Sequence, residues 1–364
     1  MTTGIRWFAE ATHPRIDPNI GAEVVQFTSS AFISFNVYCE QVYASVDGSR
    51  FAFVRVPTTD YSAGPFEVWV CDLTTRRVAR VDTAANTYMA TTPFLDTVYY
   101  ARPAHGGEHV LVRLNLATLE REEVFRLGDC PVPCACAISP DEHWFLSAMH
   151  LHDNVFGIYR VDLSRGKWEV IHEHADISNT HVQVEPVLGR DVMIQNNGGS
   201  DLGTALYLID IDGKNERPLP VGRPHTADIT GHQCWIGKTG KILCTIDDTK
   251  PRGGQCVITP GEAEAKVFAR GFALIHISAS ADGRFFVADQ GGDHRVYFGS
   301  LETGRVITIC ETEVSWGAQH YTHPHPYLTP DNKHVIFNSD RTGVAQVYAA
   351  VVPEHAFAYV TERI

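Results

Sequence analysis

The sequence predicts an all-β fold, a seven-bladed β-propeller, on three observations. A turn built on Asp-Gly or a near equivalent, followed by an apolar strand, recurs seven times. The copies stand about 40 to 50 residues apart, which is the period of a propeller blade. Each copy is followed by a strand, a polar turn and a second strand, and no long stretch carries the apolar period of a helix.

The first element of each unit appears as SVDGSRFAFV (45–54), PFLDTVYYA (93–101), SPDEHWFLSA (139–148), PVLGRDVMIQ (186–195), GKTGKILCTI (237–246), SADGRFFVAD (280–289) and TPDNKHVIFN (329–338). Such turns between β-rich runs are hairpin signals. The second element reads VWVCDLTTRRVARV, LVRLNLATLEREEVF, IYRVDLSRGKWEVI, LYLIDIDGKNERPL, QCVITPGEAEAKVF, VYFGSLETGRVITI and VYAAVVPEHAFAYV. Each unit therefore supplies four short strands, and seven units make a closed ring. The N-terminal segment GAEVVQF (21–27) is predicted to complete the last blade, which ends at 351–361, and so to protect the sheet edges. The whole of 1–364 reads as one propeller domain.

Composition narrows the function classes. The chain carries 30 Lys and Arg against 43 Asp and Glu, a formal net charge of −13. That excludes a general nucleic-acid binder, and an acidic ligand would require local cations or a metal. The opening MTTGIRWFAE lacks a basic-then-apolar leader, and no apolar run reaches membrane-spanning length. Nine cysteines at irregular spacing point to a reduced compartment, so the expected location is cytoplasmic. Cys130, Cys134 and Cys136 cluster as CPVPCAC without a fourth ligand at a zinc-site spacing, and read as buried free thiols.

The most chemically charged stretch is Gln319-His320-Tyr321-Thr322-His323-Pro324-His325-Pro326. Extended geometry, favoured before proline, would turn His323 and His325 to the same face. Paired neutral imidazoles suit a divalent transition metal; a His-rich surface loop is the alternative reading. Aligning the units on their turns places His181, His232, His276 and His325 at nearly one register, seven or eight residues before the turn glycine or its equivalent. They belong to four consecutive blades, the fourth to the seventh, near one mouth of the channel. Blades one to three carry Gln41, Met89 or Ala90, and Ala135 there. Scaffold histidines generated by repetition would recur all round the ring, so the one-sided cluster favours a site. His143, His150, His152, His172, His174, His294 and His334 lack the register and read as surface or packing residues. No GxSxG elbow marks a peptidase-type hydrolase.

Several segments resemble the oligogalacturonate lyases. THPHPYLTPDNKHVIFNSDRTG looks like that family's last blade, whose pattern is close to THPHPSFTPD followed by a strand and SD. GHQCWIGKTGK is similar to its THEFWIPDG segment, LIHISASADGRFFVADQ to SHLMSNFDGSLMVGDG, and YLIDIDGKNER to WLINEDGSN. The resemblance covers the C-terminal half well and the N-terminal half only as blade pattern. It implies a seven-bladed propeller that cleaves short pectic uronides by β-elimination, with manganese or a similar ion in the channel mouth. It maps histidine metal ligands onto His276, His323 and His325, the general base onto His232, and a histidine near the sugar onto His181. Where the family has glutamine three residues before the first HPHP histidine this chain has His320, with Gln319 beside it. The implied shell is His276, His320, His323 and His325, with Gln319 assigned to substrate. The family arginine two residues before the aromatic of WLINEDG is Ala205 here. That implies a changed uronide or a base assisted by another group, with Arg341 of SDRTG as the replacement cation.

β-Elimination removes the C5 proton of a uronide and expels the C4 substituent. A metal on the neighbouring carboxylate stabilises the enolate-like charge, and a neutral histidine accepts the proton. Nitrogen-rich ligation suits Mn²⁺, as well as Fe, Ni, Co or Zn, better than Ca²⁺ or Mg²⁺. The expected partner is a short uronic-acid-containing oligosaccharide, with no nucleic acid and no membrane; the oligomeric state is not legible. Two alternatives stay open: a non-catalytic TolB-like propeller binding a sugar or peptide, and a metal-dependent hydrolase or isomerase of a modified sugar.

Overall fold

The computed structural model describes residues 4–58, 64–153, 155–175, 177–196, 205–247 and 254–363. These form seven antiparallel sheets arranged as a seven-bladed β-propeller. Blade 4 runs Gln183–Val184, Asp191–Asn196, Ala205–Asp210 and Arg217–Pro218 from the channel outward, and blade 5 runs Ile229–Trp235, Ile242–Ile246, Gly254–Ile258 and Lys266–Phe268. Blade 6 comprises Leu274–Ala279, Phe285–Gln290, Arg295–Ser300 and Val306–Glu311.

A small hydrogen-bonded device makes the recurring turn. Ser45, Ser139, Ser280 and Thr329 donate their hydroxyls to the aspartate two residues on, at 2.7, 2.5, 2.7 and 2.7 Å. The same hydroxyls accept the backbone N–H of Arg50, Trp144, Phe285 and His334, each of which opens the next strand. Ser/Thr-x-Asp is thus read by the backbone as a turn. At Gly48, φ is +72° and an added Cβ would lie 2.5 Å from Oδ1 of Asp331, so only glycine lets the turns of blades 1 and 7 touch.

Blade 7 closes the ring. Its inner three strands, Tyr327–Leu328, His334–Ser339 and Gln346–Val351, come from the C-terminal end. The fourth, Glu23–Gln26, comes from the N-terminal end and pairs antiparallel with Gln346–Val351, Val25 opposite Ala349. The two-residue strand Arg15–Ile16 adds a fifth, and Trp7–Phe8 likewise extends blade 1. One expectation fails here. The segment after Val351 is not a strand: Glu354–Thr361 is an α-helix. Because Glu23–Gln26 already fills the outer place of blade 7, the chain beyond Pro353 has no strand edge to join. It turns Ala356, Phe357 and Val360 against blade 6, with the Phe357 ring 5.2 Å from Phe285 and 5.1 Å from Phe298. Spacing of apolar residues one and four apart suits one helical face.

The core lies between blades, not at the axis. One apolar cluster joins blade 1 to blades 2 and 7 through Phe51, Phe53, Val112 and Ile336, and others join blades 3 to 4 and 5 to 6. Inner strands are short or interrupted. Register shifts occur between Cys134 and Cys136, Ile229 and Gln233, and Leu274 and Ile277. Such bulges re-aim side chains, and here they lie at the channel.

Replacing Val25 with Asp would put a lone carboxylate in the buried closing strand, where unpaired charge is strongly unfavourable. Thermal denaturation is expected to show a large drop in midpoint, against almost none for Leu188→Asp at a position 81% exposed.

Candidate active site

The inner-strand entrances of blades 4 to 7 meet in a cavity of about 690 Å³ at one mouth of the channel, lined among others by Tyr38, Glu40, His181, His232, His276 and His325. Ligand pockets typically span about 300–1,000 Å³.

Three histidines converge. His276, His323 and His325 each offer a ring nitrogen, and these atoms lie within 4.8 Å of one another, the one such cluster among the described residues. The His276 ring centroid is 4.1 Å from that of His325 and 5.5 Å from that of His323. Each ring is prepared differently. His276 Nδ1 faces both carboxylate oxygens of Asp289 at 2.9 Å, which makes Nδ1 the donor and leaves the Nε2 lone pair for a metal. His323 Nε2 lies 2.8 Å from the Gly317 carbonyl and donates there, leaving Nδ1. Both ring nitrogens of His325 are buried with no hydrogen-bond partner. Burial first, then the neighbouring histidines, hold His325 well below the ordinary imidazole pKa. Burial also lowers His323. Three converging ring nitrogens, with one ring wholly unpartnered, fit a divalent transition ion.

The backbone explains the convergence, though not through a regular strand. His323 is extended, at φ −112° and ψ 151°, but His325 sits in the left-handed region at φ +44°, which strains any residue with a Cβ. Two buried asparagines hold this bend. Asn338 accepts the Asn36 N–H at 2.8 Å and donates to the His323 carbonyl at 3.4 Å, and Asn36 donates to the His325 carbonyl at 2.7 Å. The His325 N–H donates to Asp289 at 3.2 Å, so one carboxylate steadies two of the three ligands. Trp316 covers the trio, its ring 4.9 Å from His323 and 6.2 Å from His276.

His320 stands apart from the trio. Residues His320–Thr322 form a 3₁₀ turn with Gln319 as its N-cap, not a strand. Both residues are exposed and line the cavity, the His320 ring 6.0 Å from His325 and 6.3 Å from Tyr38. His232 has its ring 4.6 Å from His276, and its Nδ1 is buried and unpartnered. Burial, then His276 and the other histidines, hold it well below the usual pKa, so it is neutral at pH 7. His181, at φ +43°, has Nδ1 2.9 Å from Glu40 Oε2, and its ring is 6.4 Å from His232.

Arg341 does not join the cavity. Its guanidinium donates to Glu313 at 3.1 Å and to the Glu311 carbonyl at 2.7 Å, in a separate cleft with Arg15, Asp17 and Tyr348. The turn that carries it leads away from the axis, and acceptors of blade 6 hold the side chain outward. The side chain of Ala205 lies outside the described residues. The sequence reading missed Asp289, Glu40, Tyr38 and Trp316. Only Asp289 left a signal: an acid inside the apolar run FFVADQ that must find a buried partner.

Metal analysis is expected to find the ion absent from a His323→Ala/His325→Ala double variant. Asp289→Asn should retain it with affinity lowered about 10–100-fold, the usual cost of losing a carboxylate behind a ligating histidine. Full occupancy in the double variant would place the ion elsewhere.

The family model for oligogalacturonate lyase matches residues 140–356. An oligogalacturonate lyase of Dickeya dadantii (strain 3937) is 25% identical over 397 residues, covering 94% of this chain and 96% of that protein. An oligogalacturonide lyase of Pectobacterium atrosepticum is 25% identical over 388 residues, with the same coverage. Among solved structures, an oligogalacturonate lyase in complex with manganese superposes with a TM-score of 0.75 at 22% identity, over 97% of this chain and 99% of that one. The Vibrio parahaemolyticus oligogalacturonate lyase superposes with a TM-score of 0.75 at 20% identity, over 97% and 98%. With more than half its length matched by the family model, the chain belongs to the oligogalacturonate lyase family.

Proposed function

We propose that this protein is a metal-dependent lyase that cleaves short, oligogalacturonate-like uronic-acid oligosaccharides by β-elimination. The observation that carries the reading is one cavity holding a neutral His232, its buried Nδ1 without a partner and its ring 4.6 Å from that of His276, in a three-histidine cluster backed by a buried carboxylate. His276, His323 and His325 would hold the ion, with His320 or Gln319 as candidate further ligands at the lip. Manganese is the proposed ion, supported by the manganese complex of a structural relative; the donor set also suits Fe, Ni, Co or Zn. When bound, the ion supplies Lewis acidity to the substrate carboxylate and offsets charge developing at C5.

The residues perform the rest. His232, uncharged at neutral pH, offers a lone pair to the C5 proton. Asp289 fixes the His276 tautomer, leaving Nε2 for the ion that would hold the substrate carboxylate. His181, His320 and Gln319 line the cavity where the sugar would bind. The imidazoles supply polar, partly positive partners that an acidic protein needs to hold a uronate. No helix among the described residues is long and apolar enough to cross a membrane. A cytoplasmic location is proposed on the nine free cysteines, eight of them buried.

His232→Ala is expected to bind metal as the parent does and to lose about 10²–10⁴-fold in rate. Ultraviolet absorbance of the product's C4–C5 double bond, conjugated to the carboxylate, reads the reaction. No such product from a panel of oligo-uronides, with tight binding of one of them, would make the protein a binding module. The pH dependence has a definite sign. A base whose pKa is lowered stays deprotonated further into acid, so kcat/KM should fall only below the ordinary histidine range of about 6.5. Metal content measured at each pH separates base protonation from loss of the ion.

A further inference from the structure

The cavity contains a second histidine–carboxylate pair that metal binding does not use. Glu40 follows the inner strand of blade 1, Ile33–Phe35, and reaches across the channel to His181 of blade 4. Glu40 Oε2 lies 2.9 Å from His181 Nδ1, and the side chains are only 7% and 13% exposed. The other Glu40 oxygen is buried with no partner. Among the described residues His181 is the one ion-pair partner of this buried carboxylate.

β-Elimination calls for two proton transfers. One takes the proton from C5; the other delivers a proton to the oxygen leaving C4, since an alkoxide is a poor leaving group in a site sheltered from water. We propose that His181, paired with Glu40, is the general acid that protonates the departing glycosidic oxygen. The assignment rests on the lyase reading above. With Nδ1–H committed to Glu40, the remaining ring proton of the imidazolium is on Nε2, the one His181 has to donate. Burial alone would lower the His181 pKa, but the Glu40 carboxylate outweighs it and raises the pKa above the ordinary value. The His181 ring is 5.9 Å from that of Tyr38 and 6.4 Å from that of His232, so donor and base stand side by side in the cavity. The His181 backbone is left-handed, φ +43°, as is that of Ala135 at the same register of blade 3, φ +42°, so the blade geometry and not the side chain sets this bend.

The step balances. The C5–H pair forms the C4–C5 double bond as the proton passes to His232. The C4–O bond breaks with its pair on oxygen, and that oxygen takes the Nε2 proton of His181. His232 then releases one proton to water and His181 regains one, so no external reductant or oxidant is required.

The test compares two leaving groups. An oligogalacturonate expels an alkoxide; a galacturonide with fluorine at C4 expels fluoride, which departs without a proton. Both give ultraviolet-absorbing product, and the second also releases measurable fluoride. His181→Gln and the milder Glu40→Gln are each compared with the parent, with metal content and melting temperature confirming a folded, loaded protein. On the oligosaccharide both variants should lose about 10²–10⁴-fold in kcat, with KM little changed. On the fluoride the loss should be under about tenfold. Equal losses on both substrates, a loss confined to KM, or full activity of His181→Gln on the oligosaccharide would each overturn the acid assignment. If the parent forms unsaturated product from neither substrate, the lyase reading itself falls, and the assignment with it. The fluoride comparison carries the decision, because a loss of kcat on the oligosaccharide alone would also follow from damage to the base.

Discussion

The seam inside blade 7, where the two ends of the chain pair, is the contact on which the rest depends. A propeller is a ring only if its ends are joined, and here the joint is backbone pairing between Glu23–Gln26 and Gln346–Val351. Flanking bonds extend it: Phe27 N–H to the Val347 carbonyl at 2.8 Å, Val347 N–H to Thr28 Oγ1 at 2.9 Å, and Ser34 N–H to the Ala345 carbonyl at 2.9 Å. Arg55 clasps both carboxylate oxygens of Glu10 at 2.9 and 2.7 Å, tying the N-terminal arm to blade 1. Such a bidentate, largely buried pair holds direction as well as charge. The seam does more than hold the circle. Asn36, on the blade 1 side, donates to the His325 carbonyl on the blade 7 side. The strained bend of one metal-site histidine is thus held from the opposite end of the sequence, and opening the ring would release it.

Electrostatics around the cavity follow from burial. Desolvation pulls imidazoles toward the neutral form and the histidines lower one another, which is why His232, His323 and His325 are all depressed. Two carboxylates break this uniformity. Asp289, wholly buried, steadies His276 and His325, while Glu40 raises His181. A protein with net charge −13 thereby lines the mouth with imidazoles, and each of its two buried acids is paired with a histidine. Environments that push like groups apart in pKa are how one residue type comes to serve as base and as acid in a single site.

Much of the fold was legible because its repeat is chemical as well as hydrophobic. The Ser/Thr-x-Asp turn is written in the sequence as SVD, SPD, SAD and TPD, and each copy makes the same two hydrogen bonds. The C-terminal helix was not legible, since PEHAFAYV alternates passably as a strand; its fate is decided by a strand more than three hundred residues earlier. The histidine register was legible because inner strands align on their turns. The positions of Arg341, Asp289 and Glu40 were not. Arg341 stands 16 residues beyond His325 in sequence yet points into another cleft, because the intervening strand carries the chain away from the axis. Glu40 lies in a loop where an acid reads as solvated, and its partner is 141 residues away.

The local geometry of His-Pro-His-Pro shows why motif and mechanism need separate arguments. The motif was read as two side chains on one face of an extended chain. Instead a 3₁₀ turn at His320–Thr322 precedes an extended His323 and a left-handed His325, and the strand begins only at Tyr327. The rings still converge, 5.6 Å apart. What brings them together is a buried asparagine pair and one aspartate, none of them in the motif. A chain that kept HPHP but lost Asn36, Asn338 or Asp289 would retain the ligands and lose their aim. The same logic applies across the channel: His181 matters for what Glu40 makes of it. In this propeller four neighbouring blades bring histidines to one side of the ring, and non-repeating polar residues give each histidine its own chemistry.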